Sequence, residues 1–162
     1  MPANETPRRT NPLDNRIPPP VLFLAIALAM GFGAGQMQPL PVEPIWRYGV
    51  AAGFVALAGF FGPPAIVRFR RVGTTVDPVR IERASQLVVD GIFRRSRNPM
   101  YVALAALLAA YAAFLAVPVA ALGPVAFVVW IGRFQIAPEE RALQARFGAV
   151  FEAYCARVRQ WL

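Results

Sequence analysis

Residues 99–137 read PMYVALAALLAAYAAFLAVPVAALGPVAFVVWIGRFQIA, and Arg133 is the only formally charged side chain in the stretch. A helix crosses the hydrocarbon core of a bilayer in about 20 apolar residues, so this block is too long for one crossing. Val117-Pro118 divides it into two runs, because proline has no N–H to continue a helix and its ring clashes with the preceding turn. The expected product is a tight helical hairpin. Working back towards the N-terminus, Ile45 to Val67 and Val21 to about Met37 form two further apolar runs. They are separated by the loop Gln38 to Pro44, which carries Pro39, Pro41, Pro44 and Glu43. Gly62-Pro63-Pro64 marks a kink or an early stop in the second of these runs. The first, with a basic start and small residues at Gly33-Ala34-Gly35, has the outline of a secretory signal. It is long for that role and three more apolar runs follow, so it is read as a retained helix.

Composition agrees with a membrane setting. Over the 162 residues the apolar share is 57% and the charged share 16%, against roughly 45–50% and about 25% in soluble domains. A soluble domain of this size could not bury so much apolar surface. The formal charge is +8, but the basic residues stand in clusters between apolar runs instead of forming one basic soluble face. Anionic lipid headgroups are therefore the expected partner, and nucleic acid is not. All basic residues are arginine. Histidine is absent, which removes bis-histidine haem, the usual zinc and copper sites and imidazole acid–base catalysis. Cys155 is the lone cysteine, so an intrachain disulfide or thiolate cluster is impossible, and it reads as a small packing residue. No metal is expected.

Residues 1–20 form a polar, proline-rich tail and 21–67 hold two transmembrane helices. The polar stretch Arg68 to Asn98 follows, rich in arginine. Glu139 to Leu162 then alternates charged and apolar residues at helical spacing, with Leu143, Phe147, Val150, Phe151 and Tyr154 on one stripe. The fold expected is thus all-α and integral to the membrane, with about four transmembrane helices, the last two a hairpin, and a cytoplasmic amphipathic C-terminal helix. Arginine placement orients it. With the N-terminus inside, only Arg47 of the 17 basic residues lies at the far face, so both termini are expected in the cytoplasm.

Three short stretches deserve a chemical reading. Gly31-Phe32-Gly33-Ala34-Gly35 resembles a nucleotide-binding glycine loop, but it lies inside an apolar run with prolines following. Close helix packing through small residues explains it better. Arg94, Arg95 and Arg97 precede a helix that opens at Pro99. They serve either as a positive-inside anchor or, at a helix N-terminus, as part of an anion or carboxylate site. Pro138-Glu139-Glu140 places two carboxylates at the inner end of an apolar run, where they are costly unless solvated or paired. They are either acidic residues opening the C-terminal helix or ligands for a cation such as a sulfonium or ammonium, and the two roles are compatible.

Read together, Leu87-Val88-Val89-Asp90-Gly91-Ile92-Phe93-Arg94, Ser96-Arg97-Asn98-Pro99-Met100-Tyr101, Glu139-Glu140 with Leu143 and Phe147-Gly148, and Phe151, Tyr154, Arg157-Val158 resemble, in that order, the isoprenylcysteine carboxyl methyltransferase family and its phospholipid methyltransferase relatives. Gly73-Thr74-Thr75-Val76 and Pro78 are similar to small bacterial members. The resemblance covers roughly residues 68–162 and makes that segment, connector, hairpin and C-terminal helix together, the methyltransferase core. It implies S-adenosylmethionine as cofactor in a cytoplasm-facing pocket of a bacterial inner-membrane protein. By position it carries Gly91, Arg94, Asn98, Pro99, Tyr101, Glu139, Glu140, Leu143 and Tyr154 to cofactor binding, and Arg97, Glu140 and Tyr101 to catalysis. Two positions depart from the family pattern: Asn98 stands where many members have histidine, and Phe151 where tyrosine is usual. Asparagine still donates and accepts hydrogen bonds but carries no proton at neutral pH.

A sulfonium methyl is already a strong electrophile, so alignment and exclusion of water supply most of the catalysis. A carboxylate acceptor needs no base, only a cation to hold it. An amine must lose a proton, which leaves Glu139 or Glu140 as the base. The acceptor expected is lipophilic: a small acid or thiol, a lipid, or a prenylated substrate. The rival reading is a non-enzymatic membrane protein, a small transporter subunit or assembly factor, that binds anionic lipid or a partner through its arginine cluster. Such a protein has little use for two carboxylates beside that cluster.

Overall fold

The structure, a computed structural model, describes residues 12–72 and 87–162, and among these every regular element is helical. The long elements are α1 (Pro19–Ala34), α2 (Pro44–Val72), α3 (Pro99–Leu115), α4 (Leu122–Ile131), α5 (Ala137–Phe147) and α6 (Ala149–Cys155). Proline opens α1, α2 and α3, the position where its missing N–H deprives the helix of nothing and its fixed φ already suits it. α3 ends where Ala116 turns left-handed at φ 53°, and Pro118 begins a 3₁₀ turn to Ala121 that leads into α4. The hairpin read from Val117-Pro118 is present.

Three expectations on helix limits need correction. Pro63 and Pro64 neither stop nor shorten the second helix: α2 runs on to Val72. Its apolar length and its packing on α3 outweigh the loss of two N–H donors; at Gly62 an added Cβ would come within 3.1 Å of the Ala103 Cβ. Pro138 does not separate the fourth run from a new helix either. α4 passes through a π turn, Gly132–Ile136, directly into α5, so Glu139 and Glu140 do not lie at a free helix N-terminus. The C-terminal segment is also not one helix. Gly148, at φ 50° and ψ −126°, breaks it into α5 and α6, and the chain beyond Arg157 is irregular.

Two helical stretches, Pro44–Arg71 and Pro118–Phe147, are long and apolar enough to cross a membrane, and Pro19–Ala34 and Pro99–Leu115 are shorter apolar helices. Successive helices from α1 to α4 run antiparallel. The α1–α2 loop meets the far end of α3 through Leu40 N–H to the Ala116 carbonyl (2.7 Å), and the start of α2 meets it through Arg47 to the Phe114 carbonyl. The other end of α2 meets the segment before α3 through Arg68 and Asp90. Met30 of α1 packs over Gly123 of α4. Leu108, Phe127, Ile131 and Ile136 are fully buried at the centre of the main core. A second core joins Ala58 and Phe61 of α2 to Val102, Ala103 and Ala106 of α3, and Trp161 packs against both. Large apolar side chains such as Leu28, Phe32, Trp46 and Val129 face outward, as expected of surfaces solvated by lipid.

Gly148 gives this layout its first test. Its backbone lies in a region open essentially to glycine, and an added Cβ would touch nothing within 4 Å. Gly148→Ala is therefore expected to cost about 1–3 kcal/mol through backbone strain alone, lowering the melting temperature in detergent by about 2–4 °C per kcal/mol. Gly53→Ala, in the interior of α2 and also without a neighbour within 4 Å, should leave it unchanged or raise it.

Candidate functional site

The chemistry-bearing side chains converge where the segment before α3, the π turn with α5, and the end of the chain meet. The segment before α3 is tied down from two sides. Arg68 of α2 donates through Nε to the Asp90 carboxylate at 2.6 Å, and hydrogen bonding to that guanidinium holds the Asp90 carboxyl below the usual carboxylate range. After Asp90 the backbone turns through Gly91 at φ 59°, and the Gly91–Arg94 turn buries Phe93. Tyr154 of α6 donates to the Phe93 carbonyl at 2.7 Å, and burial pushes its phenol up from its ordinary pKa. The Arg95 guanidinium lies over the Phe60 ring, 5.4 Å from its centroid.

Arg97 is the hub. Its Nε and Nη2 donate to Oε1 of Glu140 at 2.9 and 2.7 Å. Its Nη1 donates to the Val158 carbonyl at 2.7 Å and, more distantly, to that of Cys155 at 3.4 Å. The Arg97 backbone N–H donates to the Arg159 carbonyl at 3.0 Å. One guanidinium thus joins the carboxylate on α5 to the exit of α6. The next residues repeat the connection: Asn98 Nδ2 and Ser96 Oγ donate to the Gln160 carbonyl at 3.0 and 3.4 Å, and Ser96 Oγ accepts from the Asn98 N–H at 3.1 Å. Ser96 is completely buried.

Glu139 looks the other way. Successive helical residues are about 100° apart around the axis, so adjacent carboxylates serve different neighbours. Oε1 of Glu139 accepts from the Tyr101 hydroxyl of α3 at 2.7 Å and from Nε2 of Gln135, one turn earlier, at 2.6 Å. Oε1 of each glutamate is therefore engaged. Oε2 of Glu140 meets Gln160 Nε2 at 3.4 Å, a weak contact that leaves acceptor capacity for a cationic or N–H-bearing ligand.

Of the residues singled out in the sequence, Arg97, Asn98, Tyr101, Glu139 and Glu140 come together in this network, with Pro99 buried at the start of α3. Tyr154 bonds to Phe93 instead, and Leu143 packs with Phe147, Phe151 and Tyr154 in a neighbouring apolar cluster. Gly91 and Arg94 are exposed on the turn before the site. The Gly73–Pro78 motif lies outside the described residues. Cys155 lies at the α6 end, half-buried, and burial raises its thiol pKa, consistent with a packing role. Sequence reasoning missed Gln135, Ser96 and Gln160. Gln135 had a signal, a polar residue four positions before Glu139 in an otherwise apolar helix; the partners of Ser96 and Gln160 depend on the chain folding back.

Next to Gln160 in the chain, Trp161 enters the wall of an apolar groove of about 440 Å³. Phe54 and Leu57 of α2, Val102 and Ala106 of α3, and Val125 of α4 also line it. An apolar groove and a charged network thus adjoin at the end of the chain.

A family model described as Phospholipid methyltransferase matches residues 46–150. The chain is also similar to an uncharacterized protein of Haemophilus influenzae, at 40% identity over 63 residues, which are 39% of this chain and the whole of that relative. No solved structure matches it significantly.

The Tyr101–Glu139 bond can be tested by stability. Tyr101→Phe removes a donor from a carboxylate in an apolar surrounding, which should cost about 1.5–3 kcal/mol. Replacing all three partners, in Tyr101→Phe/Gln135→Leu/Glu139→Leu, should recover most of the loss, because no donor or acceptor of this bonded group is then left unpaired. Reversible unfolding in mixed detergent reads both; a Tyr101→Phe variant as stable as the parent contradicts the bond.

Proposed function

The chain belongs to the phospholipid methyltransferase family, and from that premise we propose that it transfers a methyl group from S-adenosylmethionine to a lipophilic acceptor at the cytoplasmic face of a bacterial inner membrane. In this reading α1, α2, α3 and the α4–α5 helix are four spans with both termini in the cytoplasm. Arginine placement supports that orientation. Asp90 with Arg68, Arg94, Arg95, Arg97 and the polar chain end gather at one end of the bundle, while Arg47 sits at the other with Phe114.

The observation that carries the proposal is the pair Glu139–Glu140, held by Tyr101, Gln135 and Arg97 within the stretch matched by the family. The donor set suits S-adenosylmethionine. Its sulfonium and ammonium groups are cations, and carboxylates with spare acceptor capacity stabilise cations. Asn98, Tyr101, Glu139 and Glu140 would hold it, with Gly91, Arg94, Pro99, Leu143 and Tyr154 as the surrounding wall. When bound, it supplies a methyl group whose bond to sulfur breaks, with the electron pair going to sulfur, as the acceptor's lone pair forms the new bond.

The protein's own work is then positioning. Arg97 fixes Glu140, and it reaches an acceptor carboxylate only by giving up one of its present bonds. The chain offers no imidazole, so a carboxylate or thiol acceptor is favoured over an amine, which would need Glu139 or Glu140 as base. The groove beside Trp161 suits an acyl or prenyl tail arriving from the bilayer, which supports membrane lipid, a lipophilic small molecule or a prenylated substrate as the partner. Non-enzymatic lipid binding by the arginine cluster leaves this carboxylate network without a task.

Calorimetry with S-adenosylhomocysteine on the detergent-purified protein tests the reading. Binding is expected, and Glu140→Gln should weaken it about five- to a hundredfold, the loss of one charge-assisted hydrogen bond. A folded wild-type protein that binds no S-adenosylhomocysteine overturns the proposal, and equal affinity in Glu140→Gln removes Glu140 from the site.

A further inference from the structure

The residues before α1 grip the helix that carries the two glutamates. In a regular α-helix the Phe134 carbonyl would accept from the N–H of residue 138, but that residue is Pro138, which has none. The neighbouring N–H, that of Ala137, goes to the Gly132 carbonyl, the π-type bond of this turn. The Phe134 carbonyl receives its hydrogen bond from outside the helix, from the backbone N–H of Asn15 at 3.0 Å. Asn15 is left-handed at φ 55°, a conformation asparagine tolerates better than most residues. Beside it, Asp14 accepts from Arg141 Nη2 at 2.8 Å, with the Asp14 side chain only 9% exposed. Arg16 N–H closes the turn on the Leu13 carbonyl at 3.3 Å, and α1 starts at buried Pro19, so the turn is anchored within a few residues.

Phe134 and Arg141 bracket Gln135, Glu139 and Glu140 along two helical turns. A π turn followed by proline is a weak point at which a helix bends. Fixing both sides of it sets the direction in which α5 leaves, and with it whether Glu139 meets Tyr101 and Glu140 meets Arg97. We propose that Asp14 and Asn15 are positioning residues for the methyl-transfer site: the turn they form substitutes for the N–H missing at Pro138 and locks the carboxylates in register with α3. This rests on the function proposed above for the carboxylates, while the clip itself is a statement about the helix alone.

The test uses the full chain in detergent and three variants, with hydrogen exchange of residues 139–147 and calorimetric affinity for S-adenosylhomocysteine as readouts. Asn15→Pro removes the N–H and forbids positive φ; Asn15→Gly keeps both. Asn15→Pro is expected to speed exchange in α5 about tenfold and to weaken S-adenosylhomocysteine binding by a similar factor, while Asn15→Gly matches wild type in both. Should Asn15→Pro fail to fold, Asp14→Leu, which removes the tie to Arg141, is expected to move both readouts in the same direction. Unchanged exchange in the folded variants overturns the clip. Faster exchange with unchanged affinity overturns the positioning role, since a purely structural clip would do no more than that. A wild-type protein that binds no S-adenosylhomocysteine removes the methyl-transfer reading, and the clip is then decided by the exchange of residues 139–147.

Discussion

Two carboxylates on one apolar helix must find donors that do not come from bulk water. Isolated ionised groups in low-dielectric surroundings are costly, and the cost falls only when charge or hydrogen bonds are brought to them. Here the donors come from three separate parts of the chain: Tyr101 from α3, Gln135 from the same helix, and Arg97 from the segment before α3. Arg97 in turn recruits the carbonyls beyond α6, and Asn98 and Ser96 recruit that of Gln160. The irregular end of the chain is thereby held against the start of α3 without regular secondary structure of its own. Trp161, carried along with it, closes the junction between the two cores.

The backbone of this helix meets a related constraint at Pro138. A helix that continued unchanged through Pro138 would leave a carbonyl without a donor inside an apolar bundle. Beside the π turn Gly132–Ile136, an N–H from Asn15 takes the place of the one that Pro138 lacks. One helix, long and apolar enough to cross a membrane, thereby also supports the carboxylate pair. Proline here acts as an adjustable joint instead of a terminator, as it does in α2, where Pro63 and Pro64 sit inside a helix that continues to Val72.

Local physical signals in the sequence were legible and long-range ones were not. Proline at positions 19, 44 and 99 and the break at Val117-Pro118 correspond to helix limits, because they act on the backbone next to them. The prolines at 63, 64 and 138 mislead for the complementary reason: whether a helix survives one depends on packing and on donors elsewhere in the chain. Gly148 hides in a stripe of helical period, since Leu143, Phe147, Phe151 and Tyr154 do share one apolar cluster even though the helix between them is broken. In the candidate site, Arg97, Glu139 and Glu140 stand out by residue type and placement, while Asn98 and Tyr101 come from the family resemblance. Their pairing could not: Arg97 and Glu140 are 43 positions apart, and which glutamate faces which donor is decided by the rotation of one helix. The partners supplied by Ser96 and Gln160 exist only because the chain end returns.

The organisation of this end of the bundle therefore rests on the bond between Arg97 and Glu140, and a double-mutant cycle reads that bond most directly. Arg97→Met, Glu140→Leu and the double variant are unfolded reversibly in mixed detergent beside the parent protein. A charge-assisted contact with side chains 14% and 26% exposed should give a coupling of at least about 1.5 kcal/mol, with the double variant less destabilised than the sum of the singles. A coupling within about 0.5 kcal/mol of zero, the range of independent sites, would contradict it and leave Glu140 without the tie on which the fold of this end depends.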